Sequence, residues 1–265
     1  MTYFNFLLQF IGLPLLVLVV LTWLDSQQKK PLPLTLQGGS FWRVLLAHVV
    51  VAVVYTTPWD NYLVATGVWW YNPQLVTGVV IGWVPLEEYT FFVVQTFLAG
   101  LWWLYLAKRL LPPKRFNEGR FLWRAIPLFS LGVLWFIMAL ILVFRWSPGT
   151  YLALELTWAL PPIMLQWALG ADILWHYRRL VFTSLGSLVV YLSLADSYAI
   201  QMGTWAIDPA QTLGFHLGNT LPLEEFVFFL LTNSLIIFGL TLMLATHSQQ
   251  RVSPEILRWF KIVIG

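Results

Sequence analysis

Apolar residues run in seven stretches long enough to cross the ~30 Å hydrocarbon core of a bilayer, at about 4–24, 41–57, 86–107, 122–144, 151–170, 179–195 and 223–245. Each predicts a transmembrane helix, because a helix satisfies its own backbone hydrogen bonds where no water is available. The second and sixth stretches are short, so a six-helix arrangement with one re-entrant segment is the alternative. The first stretch has no basic residue before it and no small-residue cleavage site after it, which reads as a retained span rather than a signal peptide.

Composition narrows this further. With 59% hydrophobic and 10% charged residues and a mean hydropathy of +0.74, neither a water-soluble fold nor a disordered chain is supported. The absence of cysteine excludes disulfides, thiolate metal sites, iron–sulfur clusters and cysteine nucleophiles. A net charge of +3 does not indicate nucleic acid, since the basic residues fall between apolar stretches rather than in a patch. Their placement is topological. Lys29, Lys30, Arg43, Lys108, Arg109, Lys114, Arg115, Arg120, Arg124, Arg178, Arg179, Arg251, Arg258 and Lys261 all fall on one side of a seven-span arrangement, and Arg145 alone falls on the other. Lys and Arg mark cytoplasmic connections, so the expected N-terminus is outside and the C-terminus inside, in a multi-pass protein of the cell membrane.

The chain also repeats itself. Asp60, Tyr62, Gly67, Trp69 and Pro73 precede the string PLEEYTFF at 85–92, and Asp196, Tyr198, Gly203, Trp205 and Pro209 precede PLEEFVFF at 222–229. The offset is 136 residues for the early matches and 137 at the Pro-Leu-Glu-Glu. The expected fold class is therefore all-α, with two parallel three-helix repeats joined by a linker helix that restores the orientation. The expected organisation is a first repeat at 1–112, a linker with the fourth helix at 113–148, a second repeat at 149–248 and a tail at 249–265.

In each copy a proline stands near the first turn of an apolar helix, where its missing N–H costs least, and the glutamates follow at once. Glu87, Glu88, Glu224 and Glu225 thus share one leaflet. Helical spacing aligns Glu88 with Phe91, Phe92 and Gln95, and Glu225 with Phe228, Phe229 and Thr232. Glu87 and Glu224 face about a quarter-turn away. Acidic residues at a helix N-terminus can simply complement the helix dipole, but recurrence of the whole string exceeds what capping needs. A carboxylic acid that protonates a poor base must be neutral, a state that burial and an adjacent like charge favour and the dipole opposes. Asp60 and Asp196 begin the outer connections in this reading, either orienting the glutamates and sharing in proton transfer or merely ending a helix.

Other polar residues carry less. His48 in the second span has no histidine at its repeat position and reads as a helix–helix hydrogen bond. Glu155 pairs with Arg145 or joins the acidic cluster, and Gln95, Gln166 and Asn233 read as helix–helix contacts. No Gly-rich dinucleotide fingerprint, Walker loop, DxxxD pair or histidine pair of metal spacing occurs, so the expected cofactor and metal content is none. Acids and aromatics in lipid suit proton-initiated chemistry on a hydrocarbon.

The doubled Pro-x-Glu-Glu-x-x-Phe-Phe strings, each after an Asp-containing segment, resemble those of the membrane-integral lycopene cyclases, which include bacterial heterodimers, fused forms and the cyclase half of fungal bifunctional enzymes. The resemblance implies cyclisation of the acyclic ends of lycopene to β-rings, giving γ-carotene and then β-carotene without net redox change. It maps the acidic residues onto Glu87, Glu88, Glu224 and Glu225, with Asp60 and Asp196. It implies a carotenoid site with Phe91, Phe92, Phe228 and Phe229, whose π faces suit a cation, and with Trp69 and Trp205. Tyr89 stands where the second copy has Phe226, and Gln95 where it has Thr232. Alternatives that remain open are a carotenoid hydratase, an ε-ring or longer-carotenoid cyclase, and a non-enzymatic transporter or pigment-binding protein. No Schiff-base lysine lies between Pro222 and Thr246, which weighs against a retinal receptor. The implied partner is lycopene within the bilayer and not nucleic acid, and self-association or association with other carotenoid enzymes also remains open.

Overall fold

The computed structural model of the chain describes residues 1–110, 116 and 122–251. Among these, seven helices are long and apolar enough to span a membrane. They are α1 (Tyr3–Gln27), which contains a π segment at Leu7–Gly12, α2 (Phe41–Ala65), α3 (Leu86–Ala107), α4 (Leu122–Val143), α5 (Thr150–His176), α6 (Arg178–Gln201) and α7 (Leu223–Leu244). Lys114, Arg115, Arg120, Arg258 and Lys261 lie outside the described residues, as do parts of the expected linker and tail.

At the carboxylate end, two helices run further than their apolar stretches indicate. The stretches at 41–57 and 179–195 stop short of Asp60 and Asp196, yet α2 continues to Ala65 and α6 to Gln201. Both aspartates therefore sit inside helices, not at the start of the outer connections. Hydropathy falls at these residues, but their carboxyl groups point inward and are 1% and 2% exposed, so the helix loses no apolar packing by continuing.

The centre is formed by α3 and α7, which pack on each other and are 67% and 72% buried along their apolar stretches, against 6% for α4. Around them, α3 also meets α1, α2 and α6, while α7 also meets α2, α5 and α6. Peripheral α4 packs against α5. Prolines within spans remove an amide donor and orphan the carbonyl four residues earlier, a serious loss in lipid. At three of the prolines here, aromatic side chains from other helices supply the donor. Tyr191 Oη donates to Phe10 O, four residues before Pro14, and Tyr55 Oη donates to Trp158 O, four before Pro162, both at 2.8 Å. Trp135 Nε1 donates to Thr157 O, four before Pro161, at 3.1 Å.

The carboxylate end carries short strands that an all-α expectation omits. β1 (Trp69–Tyr71) pairs antiparallel with β4 (Trp205–Ile207), while β2 (Val80–Ile81) with β3 (Val84–Pro85), and β5 (His216–Leu217) with β6 (Leu221–Pro222), form hairpins. Each is two or three residues long, too short for an alternating pattern to register. In the β1–β4 pair, Trp70 faces Ala206, Trp69 faces Ile207 and Tyr71 faces Trp205. The repeated Gly67 and Gly203 follow α2 and α6 with φ of +70° and +65°. Their N–H groups bond to Val64 O and Ile200 O, and those of Val68 and Thr204 reach Leu63 O and Ala199 O. That pattern is a Schellman ending, which needs the left-handed conformation glycine adopts without strain, and it turns each chain into its strand.

The opposite, basic end is fastened by ion pairs. Asp25 accepts from Arg109 at 2.8 and 2.9 Å, and Asp172 accepts from Arg124 at 3.0 Å and Arg251 at 2.6 Å. Each buried carboxylate has bidentate guanidinium geometry, which offsets much of its desolvation.

Replacing Tyr191 by Phe leaves the Phe10 carbonyl without its interhelical donor. The expected cost is about 1 kcal/mol, read as earlier thermal unfolding of the detergent-solubilised protein, with Tyr198→Phe as a comparison at an exposed position.

Candidate active site

Each Pro-Leu-Glu-Glu string is the junction of a hairpin and a central helix. Pro85 and Pro222 are the last residues of β3 and β6 and also the N-caps of α3 and α7, in extended conformation. The hairpin aims the helix, and the two glutamates occupy its first turn.

The two positions of the pair then diverge. Glu87 and Glu224 are fully buried and turn toward the loops that precede their helices. Glu87 Oε1 accepts from the Thr77 amide at 2.6 Å, and Glu224 Oε1 accepts from the Leu213 amide at 2.7 Å. Thr77 and Leu213 are themselves 136 residues apart, so the same loop is pinned in the same way twice. Glu88 and Glu225 face inward, into a common chamber of about 50 Å³ at the junction of α1, α3, α5, α6 and α7.

In that chamber Glu88 Oε2 accepts from Tyr3 Oη at 2.5 Å and Tyr71 Oη at 3.0 Å. Both phenols converge on one oxygen, leaving Oε1 unoccupied by them. Tyr71 in turn accepts from Trp69 Nε1 at 3.1 Å. Burial, with the Asp60 and Glu88 carboxyls close by, pushes the Tyr71 hydroxyl well above the usual phenol range, so it remains a donor at neutral pH. Glu225 Oε1 accepts from Tyr151 Oη at 2.7 Å, and Asp196 lies beside Glu225 in the chamber wall, its Oδ2 without a donor among the described residues. Two carboxyl groups bond to each other only through a shared proton. Asp196 Oδ1 also accepts from Trp205 Nε1 at 2.9 Å. The two sides thus differ, because Ile207 stands where the 136-residue offset would place a second Tyr71.

Asp60 is buried beside Glu88, but neither of its oxygens has a hydrogen-bond partner among the described residues. Glu155 is fully buried near Tyr151, Glu225 and Glu224. It joins the acidic cluster, and no ion pair among the described residues links it to Arg145. Phe91, Phe228 and Phe229 line the chamber with Trp69 and Trp205. Phe92 turns instead to a groove between α2, α5 and α7, whose wall also includes Phe228, Gln95 and Thr232. Trp59 stacks between Trp158, at 4.5 Å, and Phe228, at 6.0 Å, and forms the partition. Tyr89 faces away from the chamber, its hydroxyl donating to Ile81 O, which explains why Phe226 can replace it in the second copy.

Three hydrogen-bonding chamber residues carry no earlier expectation: Tyr3, Tyr71 and Tyr151. A signal for two of them is present, since Thr2-Tyr3 opens α1 and Thr150-Tyr151 opens α5, at an offset of 148 rather than 136. Tyr71 has no counterpart and leaves no such trace. Three of the helix–helix expectations also change. His48 Nδ1 contacts Val44 O of its own helix at 2.8 Å, and Asn233 Nδ2 donates to Phe229 O of its own helix, because each carbonyl lies one turn back and within reach. Gln95 Nε2 has no partner among the described residues. Only Gln166, which donates to Leu235 O, bridges α5 and α7. Among the described residues no three His, Asp or Glu side chains are arranged to hold a metal ion.

The chain matches the family model for lycopene cyclase over residues 1–106 and 147–244. It is 40% identical over 201 residues to a lycopene beta-cyclase of Halobacterium salinarum, an alignment covering 75% of this chain and 80% of that one. It is 37% identical over 207 residues to a bifunctional lycopene cyclase/phytoene synthase of Phaeosphaeria nodorum, covering 74% of this chain and 34% of the fungal one, and 35% identical over 208 residues to that of Podospora anserina. The alignment thus spans about a third of the length of these fungal relatives. No solved structure matches it.

The divergent geometry of the glutamate pairs has a direct test. Glu87→Gln and Glu224→Gln replace the acceptors of the Thr77 and Leu213 amides, and each is expected to speed amide exchange at its own loop by about tenfold, the equivalent of ~1.4 kcal/mol. Glu88→Gln and Glu225→Gln are expected to leave both loops at wild-type rates in the same exchange measurement.

Proposed function

The chain belongs to the lycopene cyclase family, and from that premise we propose that it is a lycopene β-cyclase, closing the acyclic ends of lycopene to β-rings. The observation that carries the proposal is the convergence of Glu88 and Glu225, from two separate copies of one motif, on a single aromatic chamber.

The roles follow from the partners. Glu225 and Asp196 hold a proton between them, and this pair is the acid. It protonates C2 of the terminal C1=C2 double bond and leaves a tertiary cation at C1. The C5=C6 double bond attacks C1, forming the C1–C6 bond and moving the cation to C5. Loss of the C6 proton gives the β-ring. Glu88 is the base, its carboxylate supported by two phenol donors, since hydrogen bonds to the charged form favour it. One proton enters and one leaves, so the reaction is redox-neutral. Phe91, Phe228 and Phe229 present π faces to the cation, each favourable contact contributing roughly 0.5–2 kcal/mol. Trp69 and Trp205 act as positioning residues through Tyr71 and Asp196. Glu87 and Glu224 set the loops that close the chamber. Removal of the proton from C6, rather than capture of the cation by water, separates this reading from a hydratase.

The same reading extends to architecture. Residues 1–112 and 149–248 are two parallel repeats related by a pseudo-twofold axis along the membrane normal, with α4 in the linker. The self-equivalent pairing of Trp70 with Ala206 supports this, as does the doubled loop anchor. The carboxylate end faces outward with the N-terminus, and the basic end, with Lys29, Lys30, Arg109, Arg178 and Arg251, faces the cytoplasm.

Expression in lycopene-producing cells, with pigments separated by chromatography, tests the activity. Conversion to γ- and β-carotene is expected, and unchanged lycopene with the protein present in the membrane would overturn the reading. In purified enzyme Glu88→Gln and Glu225→Gln are each expected to lower the rate by about 10²–10⁴-fold, and Tyr71→Phe by about tenfold. Wild-type turnover in either glutamine variant would remove that residue as base or acid.

A further inference from the structure

The chamber is too small to hold more than the end of a C40 chain, so the remainder must lie elsewhere. Among the described residues, besides a larger and more polar hollow of about 750 Å³ at the basic end, two apolar grooves open from the flanks of the bundle. One, of about 430 Å³, lies between α2, α5 and α7 and runs along α7 from Phe228 to Met243. At 1.5 Å per residue, those fifteen steps give about 22 Å, most of the depth of a ~30 Å hydrocarbon core. The other, of about 410 Å³, lies between α1, α3 and α6 and is lined along α3 by Leu98 and Trp102 alone.

The grooves are counterparts that end differently. Tyr55 and Tyr191 sit at matching places in them, each donating to the carbonyl orphaned by a proline, and Trp102 occupies the α3 position that corresponds to Gly239 of α7. In the first groove Gly239 leaves the floor open, and a Cβ there would collide with His48 Nε2. The His48 ring is held in place by its bond to the Val44 carbonyl. In the second, the Trp102 indole crosses to Ser187 Oγ at 2.8 Å. The decisive difference is adjacency to the chamber. Phe228 belongs to the walls of both the first groove and the chamber, whereas the second groove shares no lining residue with it.

We propose that the α2–α5–α7 groove holds the polyene of the substrate while its end lies in the chamber, and that Gly239 sets the depth of the groove. The inference rests on the carotenoid reading of the site above. The groove is apolar, of a volume typical of ligand cavities, and borders the carboxylate chamber at Phe228, which is the placement a long hydrocarbon with one reacting end requires. With a single groove bordering the chamber, one end is processed at a time, and the second ring needs the monocyclic product to re-enter reversed.

The test is pigment retention by the purified chain, measured as carotenoid absorbance per protein after exchange with lycopene in detergent, alongside turnover. Gly239→Trp fills the floor from within. Val51→Trp fills the same groove from a position 60% exposed on α2, so it leaves the packed core alone. Val17→Trp, 58% exposed in the second groove, is the control. Bound lycopene is expected to fall on the order of tenfold in the first two and to stay at the wild-type level in the third, with all three eluting as the wild type does. Wild-type retention in Val51→Trp would overturn the assignment, as would equal loss in Val17→Trp. Retention of phospholipid in place of lycopene by the wild type would assign the groove to an acyl chain and overturn it too. If the wild type binds lycopene through this groove but converts none of it, the cyclase reading fails and the groove assignment stands. Conversion that persists in both groove variants has the opposite meaning.

Discussion

A carboxyl group taken into a low-dielectric bundle costs several kcal/mol unless its surroundings supply hydrogen bonds or a proton, and this constraint organises one whole end of the molecule. Seven carboxyl groups are buried there: Asp60, Glu87, Glu88, Glu155, Asp196, Glu224 and Glu225. Helix N-termini answer part of the cost at the four glutamates of α3 and α7. Loop amides answer for Glu87 and Glu224, phenols for Glu88 and Glu225, and an indole for Asp196. The strands and hairpins exist to bring those donors in. β1 delivers Tyr71, β4 delivers Trp205, and the hairpins fix the start of the helices that carry the acids.

The basic end meets the same constraint in a different way. Asp25 and Asp172 are as deeply buried but lie against guanidinium groups, so they are held as ion pairs with no part in proton exchange. Chemistry and fastening are thereby separated across the bilayer. One end keeps its acids away from cations and beside neutral donors, and the other neutralises them. That separation lets a carboxyl at the first end change protonation state during a reaction without loosening the bundle.

The motif occurs twice in the chain, and its two copies place their inward glutamates among unlike partners. Tyr71 against Ile207 leaves Glu88 with two phenols, whereas Glu225 has one phenol and a second carboxyl. Gly239 lines the groove that borders the chamber, whereas its counterpart Trp102 lines the one that does not. A duplicated scaffold with unlike partners can hold an acid and a base in one small space, which a strictly symmetric one could not distinguish.

The sequence by itself determined the seven spans, the doubled motif, the shared leaflet of the four glutamates, and which member of each pair lies with the phenylalanines. All of these follow from local periodicity, and periodicity survives in a single chain. It stopped α2 and α6 too early, since a buried aspartate reads as the end of an apolar stretch when only its surroundings show that it faces inward. It could not reach the phenols on Glu88 and Glu225, because Tyr3 and Tyr151 meet their glutamates across 85 and 74 residues of chain. Nor could it reach the β1–β4 register or the placement of one groove against the chamber. Those depend on how separate helices pack, and tertiary structure alone decides which distant side chains share a space and what that space can hold.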